Sequence, residues 1–313
     1  MTRRHALSIF AGIFAAGVSN AAEASKLDLK NAKFKTPVKV GFLPITDHLI
    51  IVAKELFKSE KFELVPLKFA SWADLSEAVR SRALDGAFLL APLGLMLKAS
   101  GVKLKAVLAA HKNGSALVAR KETASLGDLV GKKVGIPSRF STHYFLLEKL
   151  LGEAGLAGKV SVVDMAPTEM PFALMSRKID AYIVAEPFGQ LAVARNLAKN
   201  LVYSKQIAPS HICCVLNFFE DVLAQSGFGE VLDGFKEAAA FVSKNRDEAA
   251  RLGAKVLGQR EKILRYVLEQ EIVEFGDVTL KKEDFEQLRA FLVEKKLATK
   301  ALEGLNLDEY LAV

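Results

Sequence analysis

A short set of polar side chains falls where apolar runs end, and their types suit holding a solute better than breaking a bond. Thr46, Asp47 and His48 follow the run that begins at Val38, and Trp72 comes after the run Phe62–Ala70. Ser138, Ser141, Thr142 and His143 follow Val134–Pro137, and Glu186 follows Tyr182–Ala185. Hydroxyls and an indole N–H donate to a small anion or a planar solute, and an imidazole turns from acceptor into charge-assisted donor when protonated. Ser71 and Ser141 stand where helix N-caps are expected, with Asp74 as the reciprocal partner of Ser71 in a capping box. The backbone N–H groups of Trp72–Asp74 and Thr142–Tyr144 would then be free, with the positive end of a helix dipole behind them, an arrangement that binds small anions without a lysine.

Catalytic constellations are missing. The chain has no G-x-S-x-G elbow, no H-E-x-x-H pair and no phosphate-cradling Gly-rich loop. Ser141 and His143 are two residues apart, which does not make a nucleophile–base pair, and Glu186 with two histidines lacks a third ligand at fixed spacing. The reading is therefore a protein that is not an enzyme, with no metal site and no cofactor. Cys213 and Cys214 are the only cysteines. Adjacent cysteines strain a disulfide, and two alone make half a zinc site, so within the apolar run Ile212–Phe219 they read as buried thiols.

The elements that must position these residues are written twice. Shifting the sequence by 95 residues superposes Asp180–Gly189 on Asp85–Gly94, and Ala78, Ser81, Arg82, Asp85, Pro92 and Gly94 meet identical partners without a gap. Each copy reads as a helix ending near Ser-Arg, a turn, a buried strand opened by Asp, and a loop at the strand's C-terminal edge. Strands are expected at Pro37–Ile45, Phe62–Ala70, Gly86–Leu90 and Leu104–Ala110, then at Ala116–Arg120, Val134–Ile136, Val160–Val163, Tyr182–Ala185 and Asn200–Ser204. An amphipathic helix is expected at Leu49–Phe57 and others at Leu93–Ala99, Tyr144–Leu151 and Met170–Met175. This alternation predicts an α/β fold with parallel or mostly parallel sheets, built as two similar lobes around a cleft. Ile212–Asn217 would return the chain to the first lobe. From Asp221 onward the pattern is helical, ending in a short helix at Leu305–Leu311. The two copies disagree at one telling place: Ala91 in the first corresponds to Glu186 in the second.

The length of 313 residues allows two medium domains, and a formal charge of +7 spread along the chain excludes the clustered basic face that nucleic-acid binding requires. Residues 1–24 read as a signal peptide. Arg3 and Arg4 open a charged n-region, Leu7–Val18 is an apolar run too short to span a bilayer, and small residues follow in an A-x-A-like pattern. The expected organisation is lobe one from residues 25–115 plus 213–313 and lobe two from residues 116–212.

Gly41-Phe42-Leu43-Pro44-Ile45-Thr46-Asp47, Ala70-Ser71-Trp72, Asp85-Gly86-Ala87 with Ala91-Pro92, Thr142-His143 and Ala185-Glu186-Pro187-Phe188 resemble the nitrate/taurine/aliphatic-sulfonate solute-binding proteins of ABC importers. The likeness covers roughly residues 37–217 and is strongest to the nitrate- and bicarbonate-binding branch. It implies a type II periplasmic binding protein: two α/β lobes that close on a ligand about a hinge, acting as a monomer with an inner-membrane permease and its ATPase. It also implies export to the periplasm by the Sec or twin-arginine route. By motif, Trp72 and His143 take anion-contacting positions, and His211 stands where nitrate binders carry Lys and bicarbonate binders carry Glu. Thr46, Asp47, Trp72, Thr142, His143, Glu186 and His211 are thus the expected ligand-binding residues. The alternatives are an enzyme on the same fold in pyrimidine or menaquinone precursor synthesis, with His211, Cys213 and Cys214 as its suspicious cluster, or a periplasmic sensor module.

Overall fold

The computed structural model describes residues 35–312. The expected signal peptide lies outside the described residues. The strands in chain order are β1 (Thr36–Phe42), β2 (Phe62–Lys68), β3 (Gly86–Leu90), β4 (Leu104–Ala109), β5 (Lys112–Asn113), β6 (Ser115–Arg120), β7 (Lys133–Ile136), β8 (Ser161–Asp164), β9 (Ala181–Ala185), β10 (Ala198–Tyr203), β11 (Cys214–Phe219) and β12 (Val273–Glu274). They form two five-stranded sheets, ordered β2-β1-β3-β11-β4 and β10-β6-β9-β7-β8, plus the small pair β12-β5. Helices pack on the sheets, giving the two-lobed α/β architecture that the strand–helix alternation predicts.

Each sheet is parallel except for one strand. In the first, β11 runs antiparallel to both β3 and β4; in the second, β6 runs antiparallel to both β9 and β10. Both exceptions are the strands on which the chain arrives from the other sheet, so the crossing itself reverses their direction. The strands β3 and β9 are buried at every position, as continuous apolar runs in the middle of a covered sheet must be.

The 95-residue repeat is a repeat of hydrogen bonds as well as of letters. Asp85 accepts from the Lys39 backbone N–H through its carboxylate at 2.7 Å and donates its own N–H to the Lys39 carbonyl at 2.9 Å. Asp180 does the same to Lys133, at 3.0 Å and 2.8 Å. The preceding Arg82 and Arg177 both take left-handed backbone, at φ 59° and 60°. The shared Ser-Arg-x-x-Asp signature thus ends a helix and clips the new strand to its parallel neighbour.

Two elements differ from the sequence expectation. Leu49–Phe57 does not form one amphipathic helix: a 3-10 segment Thr46–Val52 leads into a short helix Ala53–Leu56, and residues 46–53 are all buried. The C-terminal helices Gly229–Lys244 and Arg246–Gly253 cover this segment, so it has no solvent face to make amphipathic. At the C-terminus, Leu305–Leu311 holds a single 3-10 turn, Leu307–Glu309, after which Leu311 bridges to Ala106 beside β4. The sheet edge there competes with helix for the backbone donors.

Two chain segments cross between the sheets, and they touch. Lys112 bridges to Ile212, and Asn113 N–H donates to the His211 carbonyl at 3.0 Å. The β5–β12 pair braces the first crossing against the C-terminal helical region.

Candidate functional site

Thr46 and Asp47 sit at the end of β1, where the chain turns into the buried 3-10 segment. Trp72 is the first residue of the helix Trp72–Arg80, whose N-cap is Ser71: its hydroxyl accepts from the Asp74 N–H at 3.1 Å and donates to the Asp74 carboxylate at 2.7 Å. In the second lobe Ser141 caps the helix Thr142–Glu153 by accepting from the Tyr144 N–H at 3.1 Å, so Thr142 and His143 lie in its first turn. Glu186 follows β9. All six are buried, and Trp72 at 4% is the most exposed of them.

The lobes meet directly at this level. Thr46 N–H donates to the Glu186 carbonyl at 2.6 Å, and Glu186 N–H donates to the Gly114 carbonyl at 2.9 Å. One Glu186 carboxylate oxygen accepts from the Gln190 N–H at 2.8 Å, while the other has no partner. Gly189 is required beneath it, because a Cβ there would lie 2.9 Å from Oε1 and 3.2 Å from Oε2 of Glu186. A groove of about 340 Å³ opens beside Trp72 and reaches Pro137, Ser138 and Asp164 of the second lobe, marking the mouth of the cleft.

Behind these residues lies a second layer carried by the crossing segments. His111 Nε2 is 3.2 Å from Asp47 Oδ2, and the Cys214 N–H lies 3.3 Å from the same nitrogen, which can accept it only when unprotonated. Cys213 Sγ lies 3.8 Å from His143 Nδ1, and His143 Nε2 shares a 2.9 Å hydrogen bond with the Ser115 hydroxyl. His48 stacks on Phe88 with ring centroids 5.0 Å apart, meets Trp72 edge-on at 5.6 Å, and accepts from the Leu43 N–H through Nδ1 at 2.9 Å.

Much of this polar surface has no hydrogen-bond partner. Thr46 Oγ1, both Asp47 carboxylate oxygens, His48 Nε2, Trp72 Nε1, His111 Nδ1, Thr142 Oγ1 and Glu186 Oε1 are all buried and unpaired. Buried polar atoms left unpaired cost about 1–3 kcal/mol each, so this concentration on facing loops calls for partners from outside the chain.

The titration pattern follows from burial and close charges. Burial pushes Asp47 up to about 6 against the pull of His111, while the Asp47 carboxylate overcomes burial to raise His111 to about 10, so the two form an ion pair at neutral pH. Burial raises Glu186 to about 8, so its carboxyl is mostly protonated at neutral pH and can donate. Burial lowers His48 to about 3 and keeps it neutral. Burial also opposes charge on His143, but the adjacent Cys213 sulfur outweighs it and raises the imidazole. For Cys213 burial again opposes ionisation, yet the Cys214 thiol and the His143 and His111 rings hold it well below the usual thiol range.

Of the residues expected from sequence, Thr46, Asp47, Trp72, Thr142, His143 and Glu186 line the facing edges of the two lobes. His211 adds another buried, unpaired ring nitrogen, Nε2, close to Cys213, His111 and His143. It sits on the return crossing, its Nδ1 donates to the Ala208 carbonyl at 2.7 Å, and burial lowers it to about 4. It is therefore neutral and supplies no positive charge. His111, Ser115 and Gln190 were not singled out from sequence. His111 had one legible signal, a titratable residue directly after the apolar run Leu104–Ala110. Cys213 and Cys214 are buried, as expected, but they stand against Asp47, His111 and His143 rather than in purely apolar packing.

Comparison with known proteins bears on the same region. Residues 31–258 match the profile of the NMT1-like family. The nitrate import ATP-binding protein NrtC of Synechocystis is 30% identical over 216 residues, covering 61% of this chain and 32% of that protein. The chain therefore spans about a third of that relative's length. Among solved structures, a ligand-binding component of an ABC-type import system from Staphylococcus aureus, with zinc bound, is 28% identical and superposes with a TM-score of 0.81 over 88% of this chain and 96% of the other. The periplasmic nitrate-binding protein NrtA of Synechocystis shares the fold at 16% identity, with a TM-score of 0.78 over 90% of this chain and 87% of that one.

Proposed function

The chain belongs to the NMT1-like family, and on that premise we propose that it is the solute-binding component of an ABC importer, closing two lobes on a small anion of the nitrate, bicarbonate or sulfonate type. The observation that carries this reading is the closed cleft itself. The Thr46–Glu186 backbone bond joins the lobes, and unpaired donors from both sides face the same seam. Trp72 Nε1 and the Thr46 hydroxyl come from the first lobe; the Thr142 hydroxyl and the His143 ring come from the second. Two capped helix N-termini, at Trp72 and Thr142, add their dipoles.

The acidic groups do not oppose an anion at neutral pH. His111 compensates Asp47, and Glu186 keeps its proton. A solute that touches both lobes is bound better by the closed form than by the open one, and it shifts the population by that difference in affinity. Delivery to an inner-membrane permease and its ATPase, and export to the periplasm through the N-terminal segment, complete the proposal. Among the described residues, no helix is long and apolar enough to cross a membrane.

A thermal-shift panel of nitrate, bicarbonate, alkanesulfonates and taurine tests it. A cognate solute at about 100 times its Kd stabilises by about 2.7 kcal/mol. If no member of the panel raises Tm, and Trp72→Ala and His143→Ala melt in the panel as the wild type does, the anion reading fails.

A further inference from the structure

We propose that Asp47, His111, Cys213 and Cys214 form a site for a borderline-soft divalent cation of the zinc or cobalt class, built into the two crossing segments at the floor of the cleft. One donor atom from each of the four side chains lies within 4.8 Å of every other, and all four residues are fully buried. A tetrahedral site with Zn–S and Zn–N bonds of ordinary length spaces its donors by about 3.5 Å, so the side chains need to draw in by roughly 1 Å.

The cluster has two properties that ordinary core packing lacks. Asp47 Oδ2 and His111 Nε2 approach to 3.2 Å, yet neither Asp47 oxygen is in hydrogen-bond geometry with any partner, and His111 Nδ1 is unpaired as well. A cation at this place would replace the proton that the Asp47–His111 pair otherwise shares, and the remaining Asp47 oxygen has no other partner. The backbone also leaves room there: Gly114 has φ +99°, and a Cβ at that position would lie 2.7 Å from Asp47 Oδ1 and 3.2 Å from His111 Nδ1.

The donor set selects the cation. Two sulfurs, an imidazole nitrogen and one carboxylate oxygen suit zinc or cobalt and disfavour magnesium or calcium, which prefer oxygen shells. His143 belongs to the layer outside. Cys213 Sγ is nearly equidistant from its two nitrogens, at 3.8 Å and 4.0 Å, so it lies on the lone pair of neither, and His143 Nε2 is held by Ser115. Because the donors come from β1's end and from both crossings, a bound cation would tie the first lobe to the hinge. The site does not depend on the identity of the solute.

Cobalt(II) titration of the metal-free full chain, without added anion and under a non-thiol reductant, tests the assignment. One equivalent should give a near-ultraviolet thiolate-to-cobalt charge-transfer band with strong four-coordinate visible bands, both abolished by zinc. Cys213→Ser and Cys214→Ser should each weaken cobalt binding about 100-fold and diminish the charge-transfer band, while Asp85→Ala should leave both unchanged. A wild type that shows no saturable band, or serine variants that bind as the wild type does, overturns the proposal. If the serine variants do not fold, Asp47→Asn must show the weakened binding instead, and wild-type affinity there overturns it equally. A solute-induced thermal shift that persists in metal-free protein would separate failure here from failure of the anion reading.

Discussion

The Thr46 amide N–H donates to the Glu186 carbonyl oxygen at 2.6 Å, linking a residue of the first lobe to one of the second. Both residues also carry an unpaired side-chain oxygen, Thr46 Oγ1 and Glu186 Oε1. The backbone therefore holds the seam between the lobes while both side-chain oxygens stay available.

Trp72→Ala and His143→Ala should each weaken solute binding by at least about tenfold, because the first removes an unpaired indole N–H and the second removes the imidazole of the facing lobe. Isothermal titration with the solute identified by thermal shift reads this directly. Ser115→Ala should have a smaller effect in the same direction, since it frees the His143 ring from its 2.9 Å hydrogen bond without removing it.

Glu186 should make stability fall as pH rises. Its carboxyl is neutral in the folded state up to about 8 but ionises from about 4.5 once exposed. The folded state thus holds the extra proton, and its stabilising effect is complete below 4.5 and is lost as pH rises through 8. Asp47 and His111 titrate as well, so the informative quantity is a difference. The stability of Glu186→Gln relative to wild type should grow between those two pH values, as measured by urea melts in matched buffers.

Gly189→Ala should be costly although it adds one methyl. The new Cβ would press on both Glu186 carboxylate oxygens, the nearer at 2.9 Å. The expected loss is about 1–3 kcal/mol in stability, together with a reduced solute-induced shift, because Glu186 must move. Thermal melts with and without solute check both parts.

Asp85→Ala and Asp180→Ala should each destabilise by about 1 kcal/mol, since each breaks one carboxylate bond to a strand backbone. The pair sits in different sheets with no shared partner, so the double variant should show additive losses in chemical denaturation. Solute affinity should be unchanged in both.

The repeat was the most legible feature of the sequence because its letters encode backbone geometry: the left-handed Arg82 and Arg177, and the clipping Asp85 and Asp180. Helix caps at Ser71 and Ser141 were legible for the same reason, since they are local. The segment after Thr46 was not. Its apolar spacing fits a helix, but burial on every side comes from helices some 200 residues later, which no local pattern records. His111 escaped notice because a lone histidine after a strand gains meaning only from Asp47 and Cys214, brought beside it by the crossings. Cys213 and Cys214 read as simple buried thiols because the His111, His143 and Asp47 groups around them arrive only through tertiary structure.

The antiparallel strand β11 has a consequence for how the chain acquires its shape. It lies between β3 and β4, so those two strands cannot pair with each other and keep facing edges unpaired until residues 214–219 arrive. The second sheet, by contrast, draws all its strands from residues 115–203. A chain emerging N-terminus first can therefore complete its second sheet before its first. The first must wait for residues 214–219 to reach strands far earlier in the chain, and its open edges are where aggregation would begin.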